Sequence, residues 1–336
     1  MGRSTRALLW LGCALAVAAP ASADVARLDA FAAPLRAGEF ARLEELLDQV
    51  VREKPRDADG ALLLPQVIER LTAALASDET LTPLLARWAE AVPRSRFEPL
   101  VRSRLEVRFA WRKRGAGYGG EVPESAWPGW YAHLARADAA LAEATERAPD
   151  LAEAPAERVW VALLRGRPTG EIRAHFYAAL RIEPTNELAH RNLLSALTPR
   201  WGGSDNAVLE FARFVSKQHP DDVRLGLLVH QAHLEVRSGL PDSDAKDYYR
   251  EDAVWEEVSR VLSRLIDAYP ASGWGHNTLA FIAGQAGQKA AALHEFRWIG
   301  RRWDPSVWGE IREFDRVRGW ALTAARHPVA SRAEAD

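Results

Sequence analysis

Sulfur is almost missing from this sequence: of 336 residues one is cysteine, Cys13, and one is methionine, Met1. Both lie in an opening segment with the marks of an export signal. Arg3 and Arg6 form a basic start, Ala7 to Ala19 is an apolar run of 13 residues, and Ala21-Ser22-Ala23 is the small-x-small pattern that signal peptidase cuts. The run is too short for a membrane span, which takes about 20 apolar residues. We expect a cleaved signal at 1–23 and a mature chain from Asp24. The alternative is a lipoprotein anchored at Cys13, but Trp10-Leu11-Gly12-Cys13 matches a lipobox poorly.

Without residues 1–23 the chain has no thiol nucleophile, no thiolate metal ligand and no disulfide. It also loses the side chains most easily oxidised, which suits an oxidising compartment. An excess of positive charge is lacking too. Lys plus Arg falls from 44 to 42 against 46 acids, so net charge moves from −2 to −4. A nucleic-acid partner normally calls for a basic excess and is not expected. No segment alternates like a strand, and no further apolar run is long enough for a transmembrane segment. No Ser-His-Asp order, kinase set or paired-carboxylate motif stands out, so no catalytic residue is assigned and no cofactor is expected.

What is present is helix-forming, and at 48% hydrophobic it suffices for a sizeable core. Phe40, Leu43, Leu47, Val50 and Val51 form one helical stripe, and Val254, Val258, Val261, Leu265 and Tyr269 another. Punctuation is periodic. Pro149, Pro184, Pro220, Pro270 and Pro305 are separated by 35, 36, 50 and 35 residues. Gly166, Gly203 and Gly287 precede Pro184, Pro220 and Pro305 by 18, 17 and 18, and Gly38 precedes Pro55 by 17. A period near 35 with a mid-unit glycine and a terminal proline comes close to the TPR pattern of helix A, turn, helix B, stop. The 50-residue interval is explained by a polar, turn-rich insert at 238–252, read as a loop.

These marks predict an all-α fold, a TPR-like helix-turn-helix solenoid. A less regular N-terminal helical region covers 24–148, with helices at 62–76, 79–92, 96–114 and 124–148. The repeat region covers 149–327, and a disordered tail 328–336.

Three stretches, LRAGEFARLEELL (35–47), FAWRKRGAGYGGEV (109–122) and LTPRWGGSDNAVLEFA (197–212), resemble a bacterial family known only as domain of unknown function 4034. The resemblance covers about residues 28–215. It implies a helical repeat fold and no settled chemistry.

Four features could carry function. At 199–204, Arg200, Trp201, Gly202, Gly203 and Ser204 stand where one helix turns into the next. Open amides beside a helix N-terminus would suit an anion, whereas the plainer reading has Trp201 plugging the corner and the glycines making the turn. In the second, Arg112, Lys113 and Arg114 run into Gly115. The Walker lysine is missing, so they read as a helix C-terminus capped by glycine. His230-x-x-His233 offers half a metal site with no third ligand, and reads as ordinary surface or groove histidines; no metal is assigned. Last, aligning the units on their prolines places Arg191, Ser195, Gln231, Trp274 and Asn277 on the helix A side that binds peptides in TPR arrays.

The expected function is therefore a non-enzymatic interaction scaffold, periplasmic or secreted, with a protein or peptide in its groove. The rival is a ligand-binding protein or hydrolase for envelope material, using the Trp201 loop or the His230/His233 pair. Most of the twelve mature tryptophans, five of them beyond Pro270, are expected in the core.

Overall fold

A computed structural model describes residues 22–77, 83–115, 117 and 119–323. The expected signal, with Cys13, lies outside the described residues except for Ser22 and Ala23; the tail at 328–336 lies wholly outside them. The described residues are all-helical, and their only β feature is an isolated bridge between Arg56 and Leu62. No described helix is long and apolar enough to cross a membrane.

Helix α1 (Ser22–Ala37) and α2 (Phe40–Glu53) form a first pair, turned at Gly38. The loop at 54–62 leads to α3 (Leu63–Ser77), then α4 (Pro83–Ala91) and α5 (Glu98–Arg114). Next come α6 (Trp127–Arg147), α7 (Glu153–Leu164), α8 (Thr169–Ile182), α9 (Glu187–Ala196) and α10 (Asp205–Gln218). After Pro220 come two abutting helices, α11 (Val223–Gly226) and α12 (Leu228–Gly239). The chain continues through α13 (Asp242–Ala245) to α14 (Asp252–Ala268). Helices α15 (Gly273–Ala286), α16 (Lys289–Ile299), α17 (Pro305–Trp308) and α18 (Ile311–Leu322) close the described chain.

Three of the five proline stops work together with a second signal, two residues on. Pro149 has no such cap, and Pro305 itself opens a short helix capped by Asp304. After Pro184, Asn186 caps α9 by accepting from the Ala189 amide. After Pro220, Asp222 accepts from Arg224 and Leu225, and after Pro270, Ser272 accepts from Gly275. Each of these three prolines ends one helix and the cap satisfies an amide of the next, which makes the turns short.

Helices pack chiefly on neighbours in sequence: α5 on α6, α7 on α8 and α9, α10 on α12, α14 on α15, α15 on α16. The core follows the same order. One cluster runs from Leu28 to Leu193, the next joins Leu194 to Val261, another Leu227 to Ala286, and the last Ala280 to Ala321. Ala144, Ala148, Leu151 and Ala154 belong to the first cluster, so apolar packing passes without a break across residue 148.

The insert at 238–252 is not the loose polar loop its composition suggests. Tyr248 and Tyr249 are buried in it, and Arg237 lies 5.4 Å from the Tyr249 ring and donates to the Ala245 carbonyl. Two aromatic anchors outweigh a polar average. Burial drives both phenols up, that of Tyr249 to about 12.

Candidate functional site

The Trp201 loop is a closed turn. The amides of Trp201 and Gly203 both donate to Thr198 O, that of Gly202 to Pro199 O and that of Ser204 to Leu197 O, at 3.0–3.1 Å. Those four donors, which the anion reading needed open, are spent on the chain itself. Gly202 takes the left-handed conformation, with φ +86°. Gly203 is demanded by space instead: a Cβ there would sit 1.9 Å from Leu197 O. Ser204 caps α10 by accepting from Ala207. Trp201 is half-buried rather than fully plugged in, edge-on to Trp160 at 6.3 Å. Arg200 is exposed but pairs with Glu235 across the next unit. Burial raises the Glu235 carboxyl, and Arg200 works against that rise.

Gly115 caps α5, its amide donating to Trp111 O at 2.8 Å. The Arg114 guanidinium lies 5.2, 5.7 and 5.8 Å from the Trp111, Trp127 and Trp130 rings and donates to the Gly117 carbonyl. This cation is therefore held in an aromatic cage, and burial lowers its pKa.

His230 and His233 are not surface histidines: both are buried on α12. His233 uses both nitrogens, Nδ1 with the Tyr248 hydroxyl at 2.8 Å and Nε2 with Glu257 at 2.9 Å, while Glu257 also takes Arg213. Burial lowers the His233 pKa, although Glu257 opposes this. His230 packs edge-on to Trp274 at 5.9 Å with its Nδ1 unpartnered, and burial, then His233, pushes it down to about 4. Periodicity located the face of the helix; only the packing of α14 and the insert shows that this face is covered. Among the described residues no group of three His, Cys, Asp or Glu is placed to hold a metal ion.

Of the expected groove residues, Asn277 is a structural latch. It is buried, accepts from Trp308 Nε1 at 2.7 Å and the Asp304 amide at 3.2 Å, and donates to Gly273 O and Arg302 O. Arg191 and Ser195 are half-buried on α9, where Ser195 donates to the Arg191 carbonyl. Gln231 and Trp274 are half-buried on α12 and α15.

The side expected to receive a partner already meets the chain's own loop at 54–62. Arg224 makes a two-pronged pair with Glu187, at 2.7 and 3.0 Å, and donates to Asp59 O at 3.1 Å. The Asp59 carboxylate accepts from Ser272 Oγ at 2.7 Å and from the Trp274 backbone amide. The edge of the Tyr269 ring occupies the space where a side chain at Gly60 would lie. Lys54 reaches Glu183 at 3.0 Å. Burial works against the Glu187 charge, but Arg224, Arg191 and Arg56 outweigh it and hold that carboxyl below its usual range. The contacts made by the loop itself join residues more than a hundred positions apart, and nothing in the local pattern of 54–62 announces them.

A cavity of about 80 Å³ lies beside this loop, lined by Val50, Lys54, Leu62, Glu153, Ile182 and Glu183 among others. Glu153, buried in the first turn of α7, is pushed up to about 7 by burial, then by Glu183. A second, open cleft of about 340 Å³ lies between the insert and α18, lined by Lys246, Asp247, Arg250, Gly284, Gln285 and Arg316. Two of its cations are engaged, Arg250 with Asp247 and Arg316 with Glu313. No family model matches the chain, and no curated protein matches it.

Proposed function

We propose that this protein is an exported, non-enzymatic interaction scaffold of the bacterial cell envelope, built from TPR-like helix pairs and related to domain of unknown function 4034. The observation that carries the reading is serial packing: helix pairs bounded by a proline stop and a polar cap, each sharing apolar core with the next. Arrays of this kind present one helix of each pair along a continuous face suited to a protein or peptide. The hydrolase reading fares worse because its groups are engaged. His233 has both nitrogens bonded, Arg200 is paired, and the Trp201 loop amides are satisfied internally.

The test is affinity capture with the mature chain, residues 24–336, from an envelope extract of its own source, with residues 1–23 supplied as a signal in a parallel expression. The reading expects export with a mature start at Asp24 and capture of a stoichiometric protein. Retention in the cytoplasm, or turnover of envelope material by the purified chain, would overturn it.

A further inference from the structure

Residues 55–62 contact α11 and α15 as a bound peptide would. Asp57 first shapes the segment into a turn: its Oδ1 accepts from the Asp59 and Ala61 amides at 2.9 and 2.8 Å, and its Oδ2 accepts from Gln66 at 2.7 Å. Arg56 holds the Gly60 carbonyl at 2.6 Å. Three features of that turn are then read from outside. The Asp59 carboxylate is read by Ser272 Oγ and the Trp274 amide, and the Asp59 carbonyl by Arg224. The missing side chain at Gly60 is read by Tyr269, since a Cβ there would lie 2.3 Å from the ring, and φ is +75°. An acid followed by glycine is what these groups select.

The reading groups are themselves prepared. Glu187 fixes the Arg224 guanidinium by accepting from both Nε and Nη2, and Ser272 is held at the N-terminus of α15 by its cap to Gly275. The turn brings no large apolar side chain between Pro55 and Ala61. Its hold is made of directional polar contacts, which a second copy of the same chemistry reproduces, rather than of an apolar anchor.

We infer, resting on the scaffold reading above, that Arg224, Ser272, Trp274 and Tyr269 form a recognition site for an Asp-Gly turn. Residues 55–62 occupy it in cis, and a partner protein engages by presenting an exposed turn of the same kind in their place. Tethering gives the resident turn a high effective concentration, so a free competitor meets a nearly closed site until the resident turn is weakened.

The probe is a labelled peptide covering residues 54–63, KPRDADGALL, followed by fluorescence anisotropy against the whole mature protein. Gly60→Ala ejects the resident turn through its clash with Tyr269, and Asp59→Asn weakens it without changing its size. The Gly60→Ala protein should bind the peptide at least about tenfold more tightly than the unaltered protein, with Asp59→Asn in between. A control peptide carrying alanine at positions 59 and 60 should not bind. Equal binding of both peptides, or no gain in either variant while circular dichroism reports the native helix content, would overturn the inference. If Gly60→Ala fails to fold, Asp59→Asn decides alone by the same comparison. Failure here with a partner still captured from the extract removes the cis-ligand inference and leaves the scaffold reading standing. Peptide binding with no partner captured establishes the turn-binding site and overturns its use by a partner protein, together with the scaffold reading.

Discussion

Replacing Glu153 by glutamine should stabilise the protein at alkaline pH and leave it nearly unchanged in acid. Glu153 lies buried at the start of α7, where the helix dipole favours a carboxylate and Lys54 adds a distant positive charge. Arg104 also favours the charge, but burial outweighs these effects, Glu183 adds to it, and the carboxyl moves from its ordinary 4.5 to about 7. The folded state therefore holds this proton more tightly than the unfolded chain does. The stabilising contribution is fully present below about pH 4.5 and is lost as pH rises through 7. At about 1.4 kcal/mol per pH unit, the loss comes to about 3 kcal/mol by pH 8. Glutamine imitates the protonated acid at every pH and escapes that loss. Urea unfolding of both proteins, followed by tryptophan fluorescence from pH 4 to 8, measures the difference directly. The two should agree at pH 4, apart from a constant offset, and diverge by about 3 kcal/mol in favour of Glu153→Gln at pH 8. A difference independent of pH, or one that grows against glutamine, would refute the reasoning, since it would mean that the Glu153 carboxyl holds its proton no more tightly in the folded protein than in the unfolded chain.

His230 should give the mirror image. Its folded pKa of about 4 lies below the ordinary 6.5, so its contribution is complete above 6.5 and lost as pH falls toward 4. His230→Phe should gain about 3 kcal/mol on the unaltered protein between pH 7 and 4, read by the same urea series. Trp201→Ala should cost about 2 kcal/mol in thermal or urea unfolding, below the roughly 3–5 kcal/mol for a fully buried aromatic, because the ring is half-buried. Arg200→Ala leaves Glu235, only 9% exposed, without its counter-ion and should cost about 1 kcal/mol at pH 7, less at pH 4 where Glu235 is protonated. Asn277→Ala strands the Trp308 indole and two carbonyls and should cost about 2–3 kcal/mol with a shift in tryptophan emission; an unshifted spectrum would contradict the latch.

Much of the helical plan was legible because it depends on short spans. Proline stops, the glycine marks and stripes such as Phe40, Leu43 and Leu47 act over one or two turns, and the helices found at 63–77, 98–114 and 127–147 follow them closely. Caps two residues after three of the five stops, at Asn186, Asp222 and Ser272, were equally local signals. Gly203 shows the limit of this reasoning. It marks the turn in the sequence, yet the left-handed residue is Gly202, and Gly203 is required by the nearness of Leu197 O.

Whether a polar residue is free, paired or buried was decided only when distant segments met. The spacing of His230 and His233 states that they share a face, but Tyr248, Glu257 and Trp274, which cover that face, arrive from later elements. Asn277 looks like a groove residue until Trp308 and Asp304 come round to bond it. The loop at 54–62 is the clearest case, because Asp59 finds Ser272 more than two hundred residues away. Local sequence sets where the chain turns, since dihedral preferences and caps are properties of neighbours. Which surfaces remain open is a property of the whole packed chain, since burial and pairing depend on what arrives from elsewhere.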